Sequence, residues 1–143
     1  MMHTRRQSAQ AVIELALVMP IMLWFGLGAL DYGRAFHTYL GLTNAAREGA
    51  RRATLLAPDC DAYVVAEIHN AVQNEQSDLS VSDSAIGVDC SLGDRRTVTI
   101  SNYQFVPVTP FIGGALQTDP TGVTCPTGTL CFTTRATLPV MGQ

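Results

Sequence analysis

The 143-residue sequence has no lysine, and all nine of its basic residues are arginines. It also lacks a phosphate-binding glycine loop, a GxSxG nucleophile turn and an HExxH pair, which removes the chemistries those motifs carry. His3, His37 and His69 are isolated from one another, so no histidine ligand set emerges. The aspartates around Cys60 and in DCSLGD do not repeat the spacing of a calcium loop and read as solvated loop acids. No serine, cysteine or aspartate is placed to suggest a nucleophile beside its base. The chain therefore reads as a non-enzyme with no metal and no cofactor. With a formal net charge of −3 it is not expected to bind nucleic acid.

Charge is scarcest between Ala11 and Leu30, twenty consecutive residues whose one ionisable group is Glu14. A helix of about twenty residues spans roughly 30 Å of hydrocarbon, so this run is read as one membrane span. A carboxylate there costs roughly 2–3 kcal/mol near the bilayer centre and less toward the interface, so Glu14 calls for a partner or a task. Arg5 and Arg6 precede the span and Asp31 follows it, which favours a cytoplasmic N-terminus under the positive-inside rule; Arg34 on the far side opposes that orientation.

Beyond the span the charge divides. Residues 32–57 carry Arg34, Arg47, Arg51 and Arg52 against Glu48, whereas residues 58–143 hold nine acids and three arginines. All four cysteines, Cys60, Cys90, Cys125 and Cys131, lie on this far side. That position fits an oxidising compartment and a short domain held by disulfides. Four cysteines allow three connectivities; neighbour pairing, Cys60 with Cys90 and Cys125 with Cys131 around PTGTL, is the simplest. Neither pair has zinc-knuckle spacing.

The apolar run does not end in a turn. Ala35, Tyr39, Leu42, Ala46, Gly49, Ala53 and Leu56 recur at alternating steps of four and three, a heptad-like seam of mostly small residues. Glu48 stands four residues before Arg52, the favourable order for a helical ion pair. Pro58 closes the element. The prediction is one helix of about 45 residues, half in the membrane and half projecting from it. Pro20 removes one backbone hydrogen bond in mid-span, so a kink or local loosening is expected there.

A second helix is predicted from about Asp61 to Gln76, capped by Asp59 or Asp61, with Ala62, Val65, Ile68 and Val72 on one face. SDLSVSDSAIGVDCSLGD reads as turn-rich, and RRTVTISNYQFVPV reads as a strand. Val98 and Ile100 share one parity and Tyr103 and Phe105 the other, which places a β-bulge near Asn102. Pro107 and Pro110 end that strand, a loop rich in Gly, Thr and Pro follows, and a last strand runs from about Leu130 to Leu138. The expected fold class is α+β: a long transmembrane and amphipathic helix bearing a small domain of one short helix and a two- to three-stranded antiparallel sheet.

Three readings of Glu14 remain: a tolerated interfacial carboxylate, part of a secretory signal peptide, or a recognition group. Arg5, Arg6, an apolar core and the small residues Gly26, Gly28 and Ala29 suit a signal peptide. Glu14 and Pro20 within the core, and a helix continuing in phase past the supposed cut, oppose it. The third reading rests on pattern. A basic leader, a small residue, four residues and then Glu opening an apolar helix resembles the class III signal of type IV pilin-like proteins. AQAVIELALVMPIMLWFGLGALDYGRAF, with Asp31-Tyr32-Gly33-Arg34 after the span and NAAREGAR from Asn44 to Arg51, resembles the TadE-like family, minor pilins or pseudopilins of tight-adherence (Tad) pilus systems. The later VTISNYQFVPVTPFIG resembles that family's strand ending in a Pro-rich turn.

The resemblance implies cleavage by a prepilin peptidase between Ala9 and Gln10; Ala9 stands where the pattern usually has Gly. It makes Glu14 the register group, meeting a neighbour's new α-amine, and makes Pro20, Gly33, Arg34, Asn44, Arg47, Glu48 and Gly49 recognition or assembly positions. Residues 1–9 would be a cytoplasmic leader, 10–57 the assembly helix and 58–143 a disulfide-containing extracytoplasmic domain. The implied partners are the peptidase, other Tad pilins, inner-membrane assembly proteins and the bilayer, with service in adhesion or secretion. Two alternatives stand beside it: another pilin-like protein such as a type II secretion pseudopilin, and a membrane-tethered binding domain indifferent to Glu14.

Overall fold

A computed structural model describes residues 3–56, 62–75, 79, 81–91, 93–109 and 125–140, with the side chains of 3–9, 62–64 and 75 left aside. Helix α1 runs from His3–Leu55, 53 residues without interruption through Pro20, a length of about 80 Å at 1.5 Å per residue. Helix α2 spans Ala62–Glu75. A single 3₁₀ turn at Asp83–Ala85 leads into strand β1, Ile86–Asp89; strands β2, Arg95–Phe105, and β3, Leu130–Pro139, follow. The sheet order is β1-β2-β3, antiparallel throughout. The chain is thus α+β, as expected. The capping candidates Asp59 and Asp61 lie outside the described residues.

Two environments meet along α1. Residues 10–27 are exposed around the full circumference, whereas from residue 31 onward one face is buried. That face presses on α2 and on the inner side of the sheet: Leu42, Ala45, Ala46, Ala50 and Ala53 of α1 enclose a core with Ile68, Val72, Val98 and Ile100. Leu42, Ile68, Val72, Val98 and Ile100 are the largest fully buried side chains, each contributing roughly 1.5–3 kcal/mol of burial. Leu42, Ala46, Gly49 and Ala53 of the predicted seam are buried, Ala35 and Leu56 are half-buried, and Tyr39 stays 44% exposed. Contact with a helix and a sheet together buries a wider arc than one seam, which draws in Thr38, Gly41, Ala45 and Ala50.

Strand β2 runs antiparallel to the upper half of α1, so Phe105 lies near Arg34 and Val98 near Gly49. The two lengths agree: the seven strand steps from Val98 to Phe105 and the fifteen helix steps from Arg34 to Gly49 both cover about 23 Å. The bulge falls where the parity change places it. Between the pairs Ile100↔Thr134 and Tyr103↔Phe132, β2 has two residues and β3 has one. Asn102 takes φ 59° there, a left-handed conformation that Asn tolerates better than most side chains.

Strand β1 falls inside the segment read as turn-rich. It is four residues with Gly87 near its centre, too short to show alternation, and it is defined by pairing with residues 97–100 of β2. Cys125 and Cys131 form a disulfide with Cα atoms 5.9 Å apart, and Gly128 turns the intervening loop at φ 87°. Cys90 is also disulfide-bonded; the expected partner, Cys60, lies outside the described residues.

Candidate functional site

The sequence-predicted positions lie along one face-changing rod, α1, in three groups. At the lower end Ala9 and Gln10 are both helical, and the Gln10 side chain donates to Glu14 Oε1 at 3.3 Å, one turn on. Around Glu14 and Pro20 the helix meets no other element among the described residues, and Val12, Ile13, Leu15, Leu17, Met19 and Ile21 are all exposed. Such an array of unpartnered apolar side chains needs hydrocarbon or another helix around it. The helix is long and apolar enough to cross a membrane, with a peak mean hydropathy of 2.0.

The middle group is the junction just beyond the span. Asp31 is only 2% exposed. Its carboxylate accepts the backbone N–H of Val108 at 2.9 Å, the backbone N–H of Thr109 at 2.7 Å and the Thr109 hydroxyl. The Thr109 hydroxyl first, then the Val108 and Thr109 amides, hold the Asp31 carboxyl below its ordinary value against the opposing effect of burial, with a further contribution from Arg34. Arg34 places Nη1 3.5 Å from Asp31 Oδ1 and its guanidinium 5.3 Å from the centre of the Phe105 ring. Phe105 in turn meets Phe132, and Phe132 meets Tyr39 edge-on. The end of β2 is thereby tied to the first turn of helix beyond the apolar run.

The upper group, Asn44 to Gly49, divides by face. Ala45, Ala46, Gly49 and Ala50 are buried, while Asn44 and Arg47 are exposed. A Cβ on Gly49 would stand 2.7 Å from Val72 Cγ2 and 3.3 Å from Val98 Cγ1, so only glycine fits. On the outer face Glu48 receives Arg51 through two contacts of 2.6 Å and Arg52 through one of 3.2 Å. The nearer partner is Arg51 at three residues' spacing, with Arg52 second. The hydrogen bond from Arg51 is the main reason the Glu48 carboxyl is lowered, with burial opposing it and Arg52 adding to it; the same contact raises Arg51.

The structure does not bring these groups together. Glu14 and Arg34 are twenty residues apart on one helix, about 30 Å. Pattern alone does not single out Asp31 as a site residue, yet it is buried and its carboxylate accepts three hydrogen bonds. Its signal in the sequence is an acid directly ending an apolar run; its partners stand 77 and 78 residues away, beyond the reach of any local period. Among the described residues no group of three or more His, Cys, Asp and Glu side chains could hold a metal ion.

Residues 9–51 match the model of the family described as TadE-like protein. The match covers the bare half of α1 and the buried face as far as Arg51. No curated protein and no solved structure matches the chain.

Proposed function

We propose, with this TadE-like segment as the premise, that the chain is a single-pass membrane protein acting as a minor pilin or pseudopilin in assembly of a Tad-type pilus, in support of adhesion or secretion. Its N-terminus lies in the cytoplasm and its disulfide-containing domain outside the inner membrane. The observation that carries this reading is the contrast within α1. The matched segment contains an apolar run, residues 11–27 with Glu14 as its one charge, that no other described residue buries, and above it a face buried against α2 and the sheet.

Two glycines support helix contact in the lower half. At Gly26 and Gly28 an added Cβ would meet nothing within 4 Å, so neither is required by the chain's own packing, although glycine costs a helix about 1 kcal/mol relative to alanine. Small residues in a span let a second helix approach closely. A prepilin peptidase cuts between Ala9 and Gln10, and the new α-amine of one subunit meets Glu14 of another, offsetting the cost of a buried carboxylate. Other Tad pilins and inner-membrane assembly proteins are the partners of the lower half of the helix.

Intact mass and N-terminal analysis of the tagged chain, produced with and without its prepilin peptidase, tests the reading. A start at Gln10 that depends on the peptidase is the expected result. A start near Asp31, or an unprocessed chain in both conditions, overturns the class III signal and returns the helix to a signal or a simple anchor.

A further inference from the structure

A cleft of about 650 Å³ opens where α1 leaves the span, bounded on the helix side by Leu30, Gly33, Arg34 and His37 and on the sheet side by Tyr103 and Phe105. We infer that this cleft is a binding site for the headgroup of an anionic phospholipid of the outer leaflet of the membrane that α1 crosses, with Arg34 on its phosphate. The inference rests on the span proposed above. With Leu30 as the last residue of the span, Arg34 lies four residues or about 6 Å further along the axis. The headgroup layer on each side of a bilayer is about 5–7 Å thick, so the cleft sits at phosphate level.

The chemistry of the cleft suits that occupant. Among the described residues, Arg34 is the one arginine at the junction. Its guanidinium rests over the Phe105 ring, and its side chain is still 55% exposed. Its acidic neighbour Asp31 is already engaged with Val108 and Thr109 and touches Arg34 only at 3.5 Å. The guanidinium fork carries more N–H donors than Asp31 engages, in a planar geometry that matches phosphate oxygens. A solvated arginine would need no cleft beside it. Gly33 keeps this one open: a Cβ there meets nothing within 4 Å, so the residue is not dictated by packing. Around the mouth Leu30, Val106 and Val108 are each about two-thirds exposed, and Tyr32 and Phe36 stand out from the same turn of helix. Apolar and aromatic side chains at this depth suit the interface between headgroups and acyl chains.

The test uses the full chain in detergent, titrated with phosphatidylglycerol or phosphatidylcholine and read by native mass spectrometry. Separately, quenching of Trp24, the single tryptophan, by brominated phosphatidylcholine in vesicles reports whether the helix is inserted. The expected result is retention of phosphatidylglycerol in preference to phosphatidylcholine, weakened about tenfold by Arg34→Gln, the loss of a charge-assisted hydrogen bond. Gly33→Leu, which fills the cleft without touching the charge, should weaken it as well, whereas Arg95→Gln at the far end of β2 should not. Circular dichroism of each variant confirms that the fold is kept. Equal retention by wild type and both variants, or no preference between the two lipids, overturns the site. Displacement of the lipid by excess inorganic phosphate overturns the lipid assignment in favour of a free-anion site. Loss of Trp24 quenching overturns the span itself, an outcome distinct from the others because the mass-spectrometric arm does not require a bilayer.

Discussion

Residues 10–30 and 31–55 belong to one unbroken helix of one chain, yet the two halves obey different constraints. In the upper half each small residue on the buried face has a neighbour within the same molecule: Gly49 is fitted so closely against Val72 and Val98 that no other side chain has room. In the lower half Gly26 and Gly28 face empty space, and the leucines, valines and methionines around them are exposed. The same residue type thus records a close contact in one region and open space in the other. Asp31 stands at the boundary, and its hydrogen bonds to Val108 and Thr109 fix where the folded domain begins.

The sharpest way to break this comparison is Glu14→Ala. If the lower half serves assembly alone, surface pili counted by electron microscopy should be lost entirely or nearly so, with the melting temperature of the distal domain unchanged. Unchanged piliation would make Glu14 a tolerated interfacial carboxylate. Next in size is a matched pair of glycine variants. Gly49→Val should destabilise the fold by about 2 kcal/mol through overpacking, measured by thermal unfolding in detergent. Gly26→Val should stay within about 0.5 kcal/mol of wild type and lower pilus incorporation instead. Equal effects on stability would erase the distinction between the halves.

Asp31 sharpens the boundary through pH. Its carboxyl is held below its ordinary value of 3.8 by the Thr109 hydroxyl first and the two amides next. A depressed folded-state pKa means the stabilisation is fully present above that ordinary value and is lost as pH falls through the lower, folded value. Asp31→Asn places an amide donor toward donors already there and mimics the protonated acid. The variant should melt below wild type at neutral pH, with the gap constant down to about pH 5 and closing below about pH 4. A gap that does not close would mean the carboxylate charge is not what holds residues 108 and 109. Smallest is Glu48→Gln, which removes the ion pairs with Arg51 and Arg52 on the exposed face and should cost about 0.5 kcal/mol, less at high salt. A larger loss would move that cluster from surface decoration to structure.

Features with a short period are legible in the order of residues alone. The parity change across Ile100 and Tyr103 locates the bulge at Asn102, the small-residue steps locate the buried face of α1, and the apolar positions Ile68 and Val72 of α2 fall on its inner side. Features created by pairing are not legible in this way. Strand β1 is four residues whose conformation depends on hydrogen bonds to β2, and nothing in IGVD by itself distinguishes a strand from the turns around it. For the candidate site the pattern singles out Gly33 and Arg34 but passes over Asp31. The importance of that acid depends on Thr109 arriving from the far end of a strand.

By itself the sequence determined the length of the apolar run, the isolation of Glu14 within it, the helical periods on either side of Asp31 and the α+β class. Those follow from backbone geometry, which repeats every few residues and leaves its mark on neighbours in the chain. Only the tertiary structure decided which glycines are filled and which are open, that Asp31 anchors residues 108 and 109, and that Arg34 lies on Phe105 beside an open cleft. Such contacts join residues far apart in the chain, 77 and 78 positions for those of Asp31. Their existence depends on how the sheet lies along the helix, a relation no local period encodes.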